Sequence, residues 1–274
     1  MTQDSPQAPT GGGTHSAFDT SVANPARMWN YWIGGKDNFS VDRDAGDLVL
    51  KAMPALPLVA RSLRRFLSTT VTELTAAGVR QFLDIGTGLP TAENTHQVAQ
   101  RHAPESRIVY VDHDPVVISH ARALLTSSAE GETDYIQADL RDWESISAAA
   151  RRTLDFSRPV AVLLLAVLHF VLDSEDPHGL IARIKADLAP GSYLVIAHAA
   201  SDIGSDTAAA MARSYNATAS LTITPRDRET VAGFFDGLEM TDRGLTPLDQ
   251  WWGPGQEDLA GTGLSCYCGI GRKG

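Results

Sequence analysis

Four short apolar runs constrain this chain more than any other feature: residues 81–85, 107–111, 160–165 and 193–197. The segments between them are long enough for crossover helices. Apolar runs alternating with helix-length stretches imply βαβ units and a mostly parallel sheet covered on both faces. A weaker strand, 133–137, falls between the second and third runs. Upstream, Leu58, Val59, Leu63, Phe66, Leu67, Val71 and Leu74 recur at helical spacing, and Gly78 suits a helix stop. Downstream, 226–238 reads as a helix with Val231, Phe234 and Phe235 on apolar positions. Strands at 240–245 and 264–271 follow, and the Trp-, Pro- and Gly-bearing connection 251–263 reads as hairpin-like. That arrangement gives the sheet an antiparallel edge. The expected division is a disordered tail over 1–18, a helical lid with its linking helix over 19–77, and a sheet domain over 78–274.

The sharpest local signal is QFLDIGTGLPT, where the first run enters Gly86-Thr87-Gly88 and a helix is expected from Pro90-Thr91. Glycine permits a tight turn and a close ligand approach to the backbone. The second run ends at Asp112, where an acid in an open parallel sheet accepts hydrogen bonds from ribose hydroxyls. Asp139 in QADLRDW falls at the next strand end, where a carboxylate can accept from an adenine amino group. Each acid has a plainer reading: Asp84 as an exposed turn residue, Asp112 as a helix cap. Together, at successive strand ends, they point to an adenosine ligand. Between the two common adenosine ligands, the residues favour S-adenosylmethionine. A dinucleotide loop would place a third glycine where Thr91 stands, and Asp84 would repel a pyrophosphate. The same carboxylate suits a sulfonium and an ammonium.

Composition narrows the class. There are 23 Lys+Arg against 33 Asp+Glu, a formal charge of −10. Such a surface repels phosphate, so a nucleic acid or an anionic membrane is not the expected partner. The 2 cysteines, Cys266 and Cys268, form no disulfide framework, and a cytoplasmic home is expected. No second ligand pair accompanies them, so no metal is expected. The longest apolar run is too short to span a bilayer. His96 and His102, on the helix after the glycine loop, are expected in surface or cap positions.

The leading segment is unusually aromatic: Met28-Trp29-Asn30-Tyr31-Trp32-Ile33, then Gly34-Gly35. It reads either as ordinary packing or as a cover over the donor's methionine end, since aromatic faces attract sulfonium cations. In the second reading Gly35 lets backbone approach the ligand, and Asn38 and Phe39 supply polar and stacking contacts, while Lys36 is as well read as a solvated charge. The run LLLAVLHF ends where Ala166 and Val167 can offer backbone groups to the donor. His169 just beyond is the candidate catalytic base, with a satisfied histidine at a helix start as the plainer reading; His198 has the same ambiguity. Trp251-Trp252 either shapes an acceptor pocket or fills core.

LDIGTG, VYVDHDP and ADLRD resemble the class I S-adenosylmethionine-dependent methyltransferases, and GGKDNFSVDR with QFLDIGTGLPT resembles a largely uncharacterised bacterial family of them. The likeness runs from about Pro25 to Gly271. It implies an α/β, Rossmann-like fold whose seven-stranded sheet is mostly parallel with an antiparallel last strand, preceded by an N-terminal helical lid. It implies that the loop from Asp84 through Gly86, Thr87 and Gly88 holds the donor's amino-acid end. It implies Asp112 on the ribose with His113 beside it, and Asp139 and Leu140 at the adenine. The family's Asn–Arg pair in the helix before the first strand is here Leu63-Arg64, so Arg64 alone keeps that contact. The reading is an enzyme that moves a methyl group from S-adenosylmethionine to a small-molecule acceptor, leaving S-adenosylhomocysteine. The alternatives are a non-catalytic sensor of these molecules and an NAD-dependent oxidoreductase.

Overall fold

The computed structural model describes residues 21–252 and 264–274. The expected tail over 1–18 and nearly all of the 251–263 connection lie outside the described residues. The chain opens with α1 (Pro25–Trp32), α2 (Ser40–Ala52) and α3 (Leu56–Ala76). Alternation then begins: β1 (Gln81–Ile85), α4 (Thr95–His102), β2 (Arg107–Asp112), α5 (Pro115–Leu124), β3 (Glu132–Gln137) and α6 (Trp143–Ala150). It continues through β4 (Ala161–Leu165), α7 (Pro177–Asp187), β5 (Tyr193–Ala199), α8 (Ser205–Asn216) and α9 (Arg228–Gly233). The last strands are β6 (Glu239–Met240), β7 (Thr246–Pro247) and β8 (Cys266–Arg272).

The strand order is β3-β2-β1-β4-β5-β8-β6, with β7 also on β8. The pairs β1–β2, β1–β4, β2–β3 and β4–β5 are parallel, and β8 runs antiparallel to each of its neighbours. The expected seven strands thus become eight among the described residues, because the stretch read as 240–245 is two short pieces. β6 meets β8 at Arg272 and Gly271, and β7 meets it at Cys268 and Tyr267. Between the pieces a turn closes from Gly244 N–H to the Thr241 carbonyl, with Gly244 at φ +60°. The antiparallel strand is therefore not an edge: β8 is inserted between β5 and the broken strand. The helix read as 226–238 is only α9, capped by the Asp227 carboxylate on Thr230 N–H and followed by turns after Gly233.

Strand side chains alternate between faces, and each face builds its own core. Leu83, Val109 and Val162 join Trp143, Ile181 and Phe234 on one side. Phe82, Ile108 and Leu163 join Phe66, Val98 and Ile118 on the other. A third cluster unites the N-terminal helices with α8: Met28, Trp32, Val49 and Met53 pack with Met211 and Tyr215. The N-terminal helices are therefore packed against α8.

Asn24 caps α1 by accepting from Ala26 and Arg27 N–H, with Pro25 in the first turn, where its missing donor costs nothing. Gly34 and Gly35 end that helix as expected. Arg27 and Asp42, both buried, pair at 2.7 Å and tie α1 to α2. Asp42 also accepts from the backbone N–H of Asn24 and of Phe39. Asn24 Nδ2 donates to Asp114 at 2.8 Å, which fastens the start of α1 to the loop after β2.

Candidate active site

The carboxyl ends of β1, β2, β3 and β4 open under the N-terminal helices into a cavity of about 210 Å³. Its floor begins at the glycine loop. Gly86 N–H donates to the Val111 carbonyl at 2.8 Å, and the Thr87 hydroxyl donates back to the Asp84 carbonyl at 3.1 Å. Gly86 has φ +75°, and a Cβ there would lie 2.5 Å from the Val167 side chain. Both facts demand glycine. Gly88 N–H donates to Asp112 Oδ2 at 3.0 Å, so the loop and the end of β2 hold each other.

Asp84 is buried next to the last residue of β1, and its Oδ2 accepts from the Thr95 hydroxyl at 2.6 Å. Burial pushes its pKa up to about 6; the Thr95 bond and the nearby Arg64 charge pull the other way. Asp112 is also buried and accepts from Asp114 N–H, leaving lone pairs for a further donor. His113 lies 3.4 Å from Asp112 at the cavity rim, and the hydrogen bond to that carboxylate raises its pKa. Asp139 is half exposed and pairs with Arg141 at 3.1 Å, while Leu140 is buried beside it.

The structure brings most of the sequence-derived site residues to one cavity: Arg64, Asp84, Gly86, Thr87 and Gly88 line it. So do Asp112, His113, Asp139, Leu140, Ala166 and His169. Arg64 faces the site through its own loop contacts: its guanidinium donates to the Ala92 and Glu93 carbonyls and thereby secures the segment after Gly88. Ala166 sits at φ +57°, a left-handed conformation rare for a residue with a side chain, held by its N–H to the Ala197 carbonyl. Backbone strain of this kind persists where surrounding structure fixes it, and it concentrates at functional sites.

Gly35, Asn38 and Phe39 do not line the cavity. Their segment folds back on Asn30, whose side-chain oxygen accepts from Asp37 N–H and from Asn38 Nδ2. Asn38 donates also to the Gly35 carbonyl, and a Cβ on Gly35 would strike Asn30 at 2.3 Å. The glycine is needed for an internal turn. Phe39 is exposed and lies 5.3 Å from the Arg27 guanidinium. Trp29 and Trp32, from the same aromatic stretch, do line the cavity. Trp251 fills core, edge-on to Phe66 at 4.8 Å, and Trp252 lies under Arg65 at 4.5 Å; neither reaches the site. His96 is buried against the Tyr110 hydroxyl, contrary to its expected surface or cap place, because α4 turns it onto the sheet.

Sequence reasoning missed the roof's second half, Met211, Tyr215, Leu221 and Ile223. It also missed Arg226, a buried cation behind His169. Arg226 donates to the Leu168 and Val171 carbonyls and to His198 Nε2, and pairs with Asp173 at 2.8 Å. His198 uses Nδ1 on the Ala199 carbonyl, so it is a neutral donor–acceptor link. Burial, His198 and Arg226 together hold His169 well below the usual histidine range. Among the described residues no cluster of His, Cys, Asp and Glu is placed to hold a metal, and no helix is long and apolar enough to cross a membrane.

A glycine turn rimmed by strand-end carboxylates fits an adenosyl sulfonium, and the fold around it is that of the class I, Rossmann-like methyltransferases. Residues 12–274 match the family model described as S-adenosyl methyltransferase, and the chain belongs to that family. It is similar to the crystal structure of a DUF574 family protein from Streptomyces avermitilis, with 40% identity and a TM-score of 0.88 over 93% of this chain and 99% of that one. It is also similar to a candidate methyltransferase from Thermobifida fusca, with 35% identity and a TM-score of 0.84 over 93% and 96% of the two chains. Magnesium protoporphyrin IX methyltransferase from Synechocystis, with S-adenosylmethionine bound, shares only the fold: 12% identity, TM-score 0.52, 90% of each chain. A comparison with curated proteins returned no match. The protein is an S-adenosylmethionine-dependent methyltransferase.

Proposed function

We propose that the protein methylates a small molecule held under the lid, while the donor lies along the carboxyl ends of β1, β2 and β3. One observation carries this reading: a single cavity joins the carboxylate rim of the sheet to an apolar roof from the N-terminal helices and α8. Bound there, S-adenosylmethionine supplies a methyl group on a positively charged sulfur. In this reading Asp84 faces the donor's ammonium, Asp112 accepts from the ribose with His113 beside it, and Asp139 and Leu140 border the adenine. Gly86, Thr87, Gly88 and Ala166 offer backbone, and Arg64 holds the loop in place. His169 is the candidate base, although burial, His198 and Arg226 oppose a full positive charge on its ring. Residues 19–77 then act as lid and linker, and 78–274 as the transfer domain. The formal charge of −10 and the buried free thiols of Cys266 and Cys268 support a cytoplasmic enzyme with no nucleic-acid or membrane partner.

Titration of the purified protein with S-adenosylhomocysteine tests the donor half. Replacing Asp112 with alanine is expected to weaken that binding by about 1–3 kcal/mol, through lost hydrogen bonds to ribose and to the glycine loop. Unchanged affinity in a folded variant removes Asp112 from the site.

Asp84 gives the binding a pH signature. Its pKa of about 6 lies above the usual carboxylate value, so it is neutral below that pH and ionised above it. A ligand ammonium favours the ionised form, so affinity is full at pH 7.5 and falls as pH drops through about 6. At pH 5 the loss should be about tenfold, the factor that one pH unit below a pKa imposes. Asp84→Asn should flatten the profile. The same elevated pKa makes Asp84 destabilising to the fold above pH 6, since the unfolded chain binds fewer protons in the window from about 4 to 6. A flat profile in the parent protein refutes the ammonium contact.

A further inference from the structure

We infer that Arg141 is a positioning residue for the donor's base: it holds the Asp139 carboxylate against the loop after β4, and so makes the site select adenine over a purine that carries oxygen in place of the amino group. This rests on the reading above, in which Asp139 borders the adenine.

Arg141 directly follows Asp139 and Leu140, and all three line the cavity. Its guanidinium makes five hydrogen bonds, as many as it has N–H groups. Nη1 donates to both oxygens of Asp139 at 3.1 Å. Nε and Nη2 donate to the two oxygens of Glu175 at 2.8 and 3.1 Å. Nη2 donates also to the Phe170 carbonyl at 2.6 Å. The guanidinium is thus fully engaged, and it acts on a ligand through what it holds.

What it holds has a defined open position. Asp139 Oδ1 accepts twice, from Nη1 and from the Arg141 backbone N–H at 2.9 Å. Among the described residues Oδ2 accepts only from Nη1. A carboxylate oxygen can take two donors, so Oδ2 keeps a place for one more. An ionised carboxylate accepts and cannot donate. It suits the amino group of adenine, whereas an oxygen on the same ring carbon would meet it lone pair to lone pair.

The other end of the clasp is fixed as well. Glu175 Oε2 accepts from Leu172 N–H at 2.6 Å. Arg226 holds the same loop through the Leu168 and Val171 carbonyls and through Asp173. Asp139 is 50% exposed, and a carboxylate so placed is free to turn unless something fixes it. A planar fork secured on Glu175 and Phe170 supplies that restraint. A lysine, with one nitrogen, cannot reproduce the fork.

The test is calorimetric titration of the full-length protein with S-adenosylhomocysteine and with S-inosylhomocysteine, which has oxygen where adenine has its amino group. The parent should prefer S-adenosylhomocysteine by at least about tenfold, the discrimination expected of a hydrogen bond to a charged group. Arg141→Ala should bring the two affinities within about threefold, chiefly by weakening S-adenosylhomocysteine. Arg141→Lys keeps the charge without the fork and should lower the parent's ratio by at least about threefold, so either variant alone decides the point. A merely structural role would weaken both ligands by one factor. A ratio unchanged in the folded variants therefore overturns the inference and leaves the donor reading standing. Equal affinities in the parent remove Asp139 from the adenine, and the inference falls with that contact. Failure of S-adenosylhomocysteine to bind overturns the whole donor reading.

Discussion

Asp42→Ala is expected to cost about 3–5 kcal/mol of stability, the range for removing one partner of a buried ion pair. Asp42 is fully buried and Arg27 is 4% exposed, so the guanidinium would lose the Asp42 carboxylate in the interior. The same carboxylate takes hydrogen bonds from Asn24 and Phe39 N–H, which join the start of α1 to the start of α2. Loss of all these contacts should loosen the lid as a unit. Urea denaturation followed by circular dichroism measures the change, and S-adenosylhomocysteine titration of the folded variant measures the lid's share in binding. A variant within about 1 kcal/mol of the parent would show that the pair contributes little beyond its own desolvation.

The second large effect is expected at Gly86. An alanine there adds a Cβ 2.5 Å from the Val167 side chain and must adopt φ +75°. The left-handed conformation costs about 1–2 kcal/mol, and overpacking at a close-packed contact about 1–3 kcal/mol more. The total divides between stability and donor affinity, because the loop that must shift also carries the Gly88 N–H to Asp112. Gly78→Ala is the control. That position has φ +95° with open space around it, and it lies outside the cavity. It should cost stability through backbone strain alone and leave S-adenosylhomocysteine affinity unchanged. Equal effects of the two substitutions on donor affinity would refute the role assigned to the Gly86 contact.

The parts of the site that could be read from sequence are those where local chemistry and backbone geometry coincide. An apolar run, two glycines and an acid at the strand end give β1, its loop and Asp84 without any tertiary knowledge. Asp112 and Asp139 follow because parallel strands end on one edge. The GGKDNF segment, read as a ligand contact, meets Asn30 through its asparagine, which also donates to the Gly35 carbonyl, a pairing that residue types alone do not reveal. Tyr215 and Arg226 were out of reach because only packing brings α8 and the segment before α9 to the end of β4. Arg226 carried no usable signal, since it opens the charged run Arg226-Asp227-Arg228-Glu229 that reads as an ordinary solvated helix start. The split of the sixth strand was equally hidden, since Gly244 lies inside a run that could pair throughout.

The two surfaces of the cavity come from different stretches of chain. Asp84, Asp112 and Asp139 rise from the sheet, whereas Trp29, Trp32, Met211 and Tyr215 descend from helices that pack on one another in a core of their own. In the proposed arrangement, substitutions in those helices redraw the outline offered to incoming metabolites while the sheet goes on gripping the same cosubstrate. The architecture separates what is kept from what can be exchanged, and a lineage built on it can acquire new chemistry at its ceiling without rebuilding its foundation.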